Sequence, residues 1–377
     1  MSNYSLFRAC ARVDLGVIRQ NLENIISALG EGAQCVGVIK ADAYGHGAIP
    51  VARAIEDLVS AYAVATPDEA LEIRSEFPDK SIFILGYSNR EAYPELIDKG
   101  IHVAIFSLED AISLSECALS LGKKALVNIK LDTGMGRIGF DCSENSAKQV
   151  GDISRLEGID VYGIFTHFSC ADSLAPSDVE FSKGQYEKLT KFIDLCASCG
   201  VTFRKVSVSN SAAIIEMPGT HKDLVRAGIL MYGYYPSDEV SRKIKVRPAL
   251  SLISHIVQIK EVESSFAIGY GRSFITDRPM RIATIPVGYG DGYPRALSGK
   301  GRVLINGKYA PIVGRVCMDM FMVDVTHIPE AEELCEAVLL GSQGENSIDA
   351  DEIARLTDTI SYEIICDIGK RVPRVYK

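Results

Sequence analysis

Eight short, apolar, β-rich runs recur through the first two-thirds of the 377-residue chain, with helical stretches between them. They are CVGVIK (35–40), AYAVAT (61–66), SIFILG (81–86), HVAIF (102–106), ALVNIKLD (125–132), VYGIFTH (161–167), KVSVSNS (205–211) and LVRAGILMYG (224–233). Several are apolar on both faces, as parallel strands buried on both sides are. The intervening AIPVARAIEDL, PDEALEIRSEF and SKGQYEKLTKFIDLCASCG carry apolar residues three and four apart, the period of an amphipathic helix. About eight β/α units in some 230 residues is what a (β/α)8, TIM-like barrel requires. A doubly wound open sheet shares the alternation; the count favours the barrel.

Near 245 the rhythm changes. SLISHIVQIKEVE, MRIATIPVGYG, GRVLINGKYAPIVGRV and FMVDV are β-rich and broken by Asn-Gly and other glycine-containing turns. They predict a mostly antiparallel β-domain with one short late helix, DADEIARLT. The expected organisation is therefore α/β, with a barrel over 1–244 and a β-rich domain over 245–377. A chain of this length buries a sizeable core without metals or disulfides.

Composition narrows the partners. The net charge is −9 with no basic block, which argues against nucleic acid. No apolar run reaches the roughly 18 residues of a membrane span, and the N-terminus lacks a signal-peptide layout. The 10 cysteines are scattered, as suits free thiols in a reducing cytoplasm. Cys196 and Cys199 come nearest to a metal-ligand pair, but they have no second pair and sit in a helical pattern, so no metal is expected.

The first expected strand ends at Lys40, followed by ADAYGHG. In a β/α barrel, functional residues sit at the C-terminal ends of strands and in the loops after them. Lys40 is either a lysine snorkelling to the rim or a Schiff-base lysine made nucleophilic by a lowered pKa. Gly45 and Gly47 allow the backbone to approach a ligand closely.

VIKADAYGHG (38–47) closely resembles the pyridoxal-phosphate (PLP) attachment motif of the alanine racemase family. KLDTGMGRIGF (130–140), THFSCAD (166–172), SNSAA (209–213), VRAGILMYG (225–233), GYGRSF (269–274), GYGDGYPR (288–295), GRVCMDM (314–320) and SYEIICDIGKRVPR (361–374) look like further segments of the same family, in the same order. The resemblance spans nearly the whole chain and implies a fold-type III PLP enzyme that interconverts L- and D-alanine and supplies D-alanine for peptidoglycan. Two bases are needed on opposite faces of the cofactor. The match gives these roles to Lys40, acting on the D isomer, and to Tyr270, which alone would read as a packed strand residue. A phenol is a poor base at neutral pH unless its anion is stabilised, and the family pattern places His167 and Arg226 behind it. Arg226 would also face the pyridine nitrogen; its plain alternative is a buried ion pair with Asp223 or another acid.

The same resemblance implies phosphate contacts from Tyr44, Ser211, the Gly228 and Ile229 amides and Tyr362. Ser211 is expected to end a strand. Arg137 would contact the cofactor ring oxygen and the substrate carboxylate, positioned by Lys130, a lysine carbamylated in some members. The Met318 amide would bind the substrate carboxylate, although core packing also explains a methionine there. Cys317 and Asp319 flank it, and Tyr289 and Arg295 would narrow the entrance or lie in an interface. A head-to-tail homodimer is implied, with the tyrosine base supplied by the other subunit. The competing enzyme readings are a serine or broad-specificity racemase and a PLP decarboxylase; the HxGS- and EPGR-type segments of the latter are missing.

Overall fold

A computed structural model describes residues 8–377. The chain divides into two compact units: Ile18–Ala43 with Ala48–Arg247, and the residues through Val17 with Tyr44–Gly47 and Pro248–Lys377.

The first unit contains eight parallel strands: β2 (Gln34–Val38), β3 (Ala61–Val64), β4 (Ser81–Ile84), β5 (Val103–Ile105), β6 (Ala125–Lys130), β7 (Ile159–Phe165), β8 (Lys205–Ser207) and β9 (Leu224–Ala227). Their order is β4-β3-β2-β9-β8-β7-β6-β5. A bridge between Phe83 and His102 joins the two ends of that series, with Ile84 N–H donating to His102 O and His102 N–H to Ile82 O, each at 3.0 Å. The strands thus form a nearly closed barrel, the architecture expected from the apolar runs. Each strand stops at or before the end of its run, where the chain turns at the barrel mouth. In the last run, only Leu224–Ala227 is strand and Ile229–Tyr232 is a buried 3₁₀ turn.

Local signals place the surrounding helices. Thr66 caps Pro67–Glu76, its hydroxyl accepting from Glu69 N–H, and proline opens the helix. Ser107 and Ser143 cap the helices Leu108–Ser120 and Glu144–Arg155 in the same way.

The second unit is built on a sheet that includes β1 (Ala9–Val13), β10 (Leu250–His255), β11 (Gln258–Val262), β14 (Met280–Ile285), β15 (Arg302–Ile305), β16 (Lys308–Val313), β17 (Phe321–Asp324), β18 (Glu336–Gln343) and β20 (Arg374–Tyr376). The order is β11-β14-β17-β16-β15-β18-β10-β1-β20, with β19 (Asn346–Ile348) on β18. All pairings are antiparallel except β1 with β20. Asn306 and Gly307, both at positive φ, join β15 to β16 as the Asn-Gly signal predicted. A separate hairpin, β12 (Ala267–Ile268) with β13 (Phe274–Ile275), packs on Val262, Met280, Ile282 and Val313.

Three features differ from the sequence reading. SLISHIVQIKEVE is two strands, β10 and β11, which pair with different partners. Two late helices are present rather than one: Ala350–Thr357 and Ser361–Cys366. The N-terminal strand β1 lies in the second unit's sheet, between β10 and β20.

Candidate active site

Lys40 follows β2 and opens a turn that no local signal announces. Ala41, Asp42, Ala43 and Tyr44 all have φ between 51° and 54°. Left-handed backbone costs L-residues roughly 1–2 kcal/mol each, so four in succession need outside support. Ala43 N–H closes the turn on Ile39 O at 2.9 Å, and Asp42 Oδ1 accepts from Ala48 N–H at 2.7 Å. The strain is stored immediately after the candidate lysine, the usual location of such strain in functional sites.

Lys130 ends β6 with its side chain buried, donating to Leu131 O at 2.8 Å. Burial, then the positive charges of Arg226 and Arg137, lower its amine to about 8. Arg137 sits in a loop tied down by Asp132, whose Oδ1 accepts the N–H groups of Gly134 (2.9 Å), Met135 (2.8 Å) and Gly136 (3.2 Å). The loop returns through Gly139 at φ +138°, where a Cβ would lie 2.4 Å from the Asp132 nitrogen.

Arg226 lies within β9, fully enclosed. It donates to Ser207 Oγ (2.6 Å), Thr166 O (2.8 Å), Val208 O (3.0 Å) and His167 Nδ1 (3.1 Å). Burial, reinforced by Arg137, lowers it to about 10, so it stays protonated at neutral pH. The suggested ion pair with Asp223 is not formed; the Asp223 carboxylate instead accepts from Val206 N–H at 2.8 Å. A guanidinium only donates, so His167 Nδ1 is the acceptor. Burial, followed by the charges of Arg226, Arg137, Lys130 and Lys40, holds His167 well below its ordinary pKa. The imidazole is therefore neutral, with its proton on Nε2.

Ser211 does not end a strand. It opens the helix Ser211–Glu216, four residues after β8 stops, because Asn210 caps that helix through Ala213 N–H at 3.0 Å. Ser211 Oγ accepts Gly228 N–H at 3.1 Å, and Ile229 begins the 3₁₀ turn that follows. Lys40, Lys130, Arg137 and Arg226 all bear on His167 electrostatically, which makes this end of the barrel suited to an anionic ligand.

The remaining candidates belong to the second unit. Tyr44 is buried with its ring centroid 6.0 Å from that of Tyr362, in the helix Ser361–Cys366. Burial raises its hydroxyl pKa. Tyr270 sits at the tip of the β12–β13 hairpin, between glycines at φ 74° and 70°, and is 72% exposed. Tyr289 N–H donates to Cys317 O (3.0 Å) and Gly290 N–H to Met318 O (2.9 Å), which stitches two candidate loops together. Met318 is 53% exposed, which argues against core packing. Arg295 opens a short 3₁₀ turn, Arg295–Leu297.

Sequence reasoning missed Asp291. Its fully buried carboxylate accepts from Arg8, from Arg371 (2.7 Å) and from Gly288 N–H (2.9 Å), and Arg371 continues to Asp319 at 2.7 Å. Its only signal was an acid set between glycines in GYGDGYPR. Among the described residues no group of three or more His, Cys, Asp or Glu could hold a metal, and no helix is long and apolar enough to cross a membrane.

Barrel and site define a class: a β/α-barrel protein with a cation-rich strand-end cluster, continued by an antiparallel β-body that displays a tyrosine. Residues 13–236 match the alanine racemase N-terminal domain and residues 249–376 the alanine racemase C-terminal domain. The chain belongs to the alanine racemase family. It is 43% identical over 369 residues to an alanine racemase of Clostridium perfringens strain SM101, covering 97% of this chain and 95% of that protein. The structure of the alanine racemase of Clostridium difficile 630 superposes with a TM-score of 0.93 at 40% identity, over 98% of this chain and 96% of that one. The Bacillus anthracis alanine racemase structure with bound L-Ala-P gives 0.90 at 34%, over 98% and 95%.

Proposed function

We propose that the protein is an alanine racemase that uses PLP and works as a cytoplasmic homodimer, producing D-alanine for peptidoglycan. The observation that carries the reading is the Arg226–His167 pair. Arg226 fills Nδ1 of a neutral imidazole, so Nε2–H is left as a donor. Such a donor lowers the cost of a phenolate, as a tyrosine base requires.

The residues present fit PLP. Lys40 would attach it covalently. Tyr44, Ser211, Tyr362 and the Gly228 and Ile229 amides would take the phosphate, Arg137 the ring oxygen and Arg226 the ring nitrogen. Bound PLP supplies an electron sink for the pair released at the substrate α-carbon. Lys40 removes or returns the proton on the D face, and Tyr270 does so on the L face, supported by His167. Arg226 holds its proton too tightly to release it to a pyridine, so the ring nitrogen would stay neutral and the sink moderate, which would favour prompt return of the proton over side reactions. Arg137 and the Met318 amide orient the substrate carboxylate. Tyr289, Arg295, Cys317 and Asp319 shape the approach. A Lys130 amine near 8 is partly neutral at physiological pH and nucleophilic toward CO2; its carbamate would place a negative charge beside Arg137. The barrel acts as the cofactor-binding domain, and the β-rich domain supplies Tyr270 to the partner's site.

Borohydride reduction of the purified protein should leave a pyridoxyl adduct on Lys40, found by peptide mass spectrometry and lost in Lys40→Ala. Chiral chromatography should show L-alanine racemised faster than L-serine. An adduct elsewhere, or a preference for serine, overturns the cofactor or the substrate assignment respectively.

A further inference from the structure

We infer that Glu69 is a positioning residue for Lys40, holding the left-handed turn on which that lysine is mounted. This rests on the reading of Lys40 as the cofactor-binding base. The turn begins one peptide bond after Lys40, and its first amide, Ala41 N–H, donates to Glu69 Oε1 at 2.7 Å. The other oxygen, Oε2, accepts Ala65 N–H at 2.7 Å and the more distant Thr66 N–H at 3.4 Å. One carboxylate therefore clamps the chain just beyond two neighbouring barrel strands, β2 and β3.

An ordinary capping box does not account for this. In that motif the third helical residue reaches back to the N-cap amide. Here the N-cap is Thr66, and its amide receives the longest of the three bonds. Both short bonds leave the helix, and one goes to the strained turn. Charge-assisted bonds of this length are among the stronger ones available to a backbone amide. Two further bonds act on the turn: Ala43 N–H to Ile39 O spans Lys40, and Ala48 N–H to Asp42 Oδ1 lies downstream of it. Glu69 acts at the peptide that sets where the lysine side chain leaves the backbone.

Glu69→Leu keeps much of the side chain's bulk but has no acceptor, so both short bonds are lost. Glu69→Ala removes both as well. Thr66→Val weakens the helix cap but keeps the carboxylate, and serves as the control. Hydrogen exchange at the Ala41 amide should rise about tenfold or more in both Glu69 variants, in apo and PLP-loaded protein, and not in Thr66→Val. In the loaded enzyme kcat should fall about tenfold with KM for alanine little changed, as expected when a base is displaced rather than substrate binding weakened.

The α-deuterium isotope effect should grow for D-alanine, where Lys40 takes the proton, and shrink for L-alanine. A merely destabilised protein would lose activity without moving the two effects in opposite directions. Unchanged Ala41 exchange in Glu69→Leu, or isotope effects that stay as in wild type, overturns the proposal; Glu69→Leu supplies both readouts if Glu69→Ala fails to fold. Borohydride trapping on wild type separates the two readings. An adduct away from Lys40 sinks the lysine assignment, while Ala41 exchange still reports whether Glu69 tethers the turn.

Discussion

Lys130 illustrates how a single buried charge should register in stability. Its amine is lowered to about 8 by burial and by the neighbouring guanidiniums of Arg226 and Arg137, whereas an unfolded chain titrates lysine near ~10.4. Below about pH 8 both states carry the proton, and the folded state bears the full cost of the buried charge. Between these values the unfolded chain holds more protons, so stability rises with pH through that window. In CO2-free buffer, urea unfolding should show wild type gaining on the order of 2 kcal/mol relative to Lys130→Met between pH 8 and 10. Parallel stability curves for the two proteins would contradict the assignment. Asp291 gives the same sign for the opposite reason: there the charged form is the one the fold favours. Burial alone would raise its carboxyl, but hydrogen bonds from Arg8, Arg371 and Gly288 N–H outweigh that and lower it. It should stabilise the fold above the ordinary carboxylate range and lose that contribution as the pH falls through its depressed value. Asp291→Asn should remove this acid-side dependence in pH-dependent melts.

Glycine substitutions test the backbone of individual elements. At Gly139 the φ of +138° and a main-chain nitrogen 2.4 Å from any Cβ leave no room for a side chain. Gly139→Ala should cost ~2 kcal/mol or more and raise KM for alanine, because the displaced loop carries Arg137. Gly184 sits in the helix Pro176–Ser198 with nothing within 4 Å of its Cβ position, so Gly184→Ala should stabilise by ~0.5–1 kcal/mol. Thermal melts distinguish the two. The barrel was legible in the sequence because buried parallel strands are apolar on both faces and amphipathic helices keep their period. Strand ends were not legible, since Ile229, Leu230, Met231 and Tyr232 are as buried as the strand before them yet form a 3₁₀ turn. The ADAY turn was invisible for a sharper reason: alanine, aspartate and tyrosine have no intrinsic preference for left-handed backbone, so contacts distant in sequence must impose it. The candidate residues were legible through family resemblance. The roles of Asp291 and Glu69 were not, because each depends on partners that sequence spacing does not bring together.

At the scale of the whole molecule, the β-rich unit displays Phe266, Tyr270, Ile275, Tyr289, Met318 and Met320, each between 43% and 72% exposed. A contiguous apolar patch marks a surface that a partner covers, and Tyr270, Tyr289 and Met318 are themselves candidate site residues. If the partner is a second copy, each site takes Lys40 from one chain and Tyr270 from the other. Lys40→Ala and Tyr270→Ala should then each be inactive as homodimers, because every site lacks one base. Unfolding the two variants together and refolding the mixture lets subunits pair at random. Half of the dimers are then mixed, and in each of these one site collects both defects while the other collects both wild-type bases. The mixture should recover about a quarter of wild-type activity per subunit, measured against each variant refolded alone. A mixture that stays as inactive as its parents would mean that Tyr270 serves the lysine of its own chain, or none.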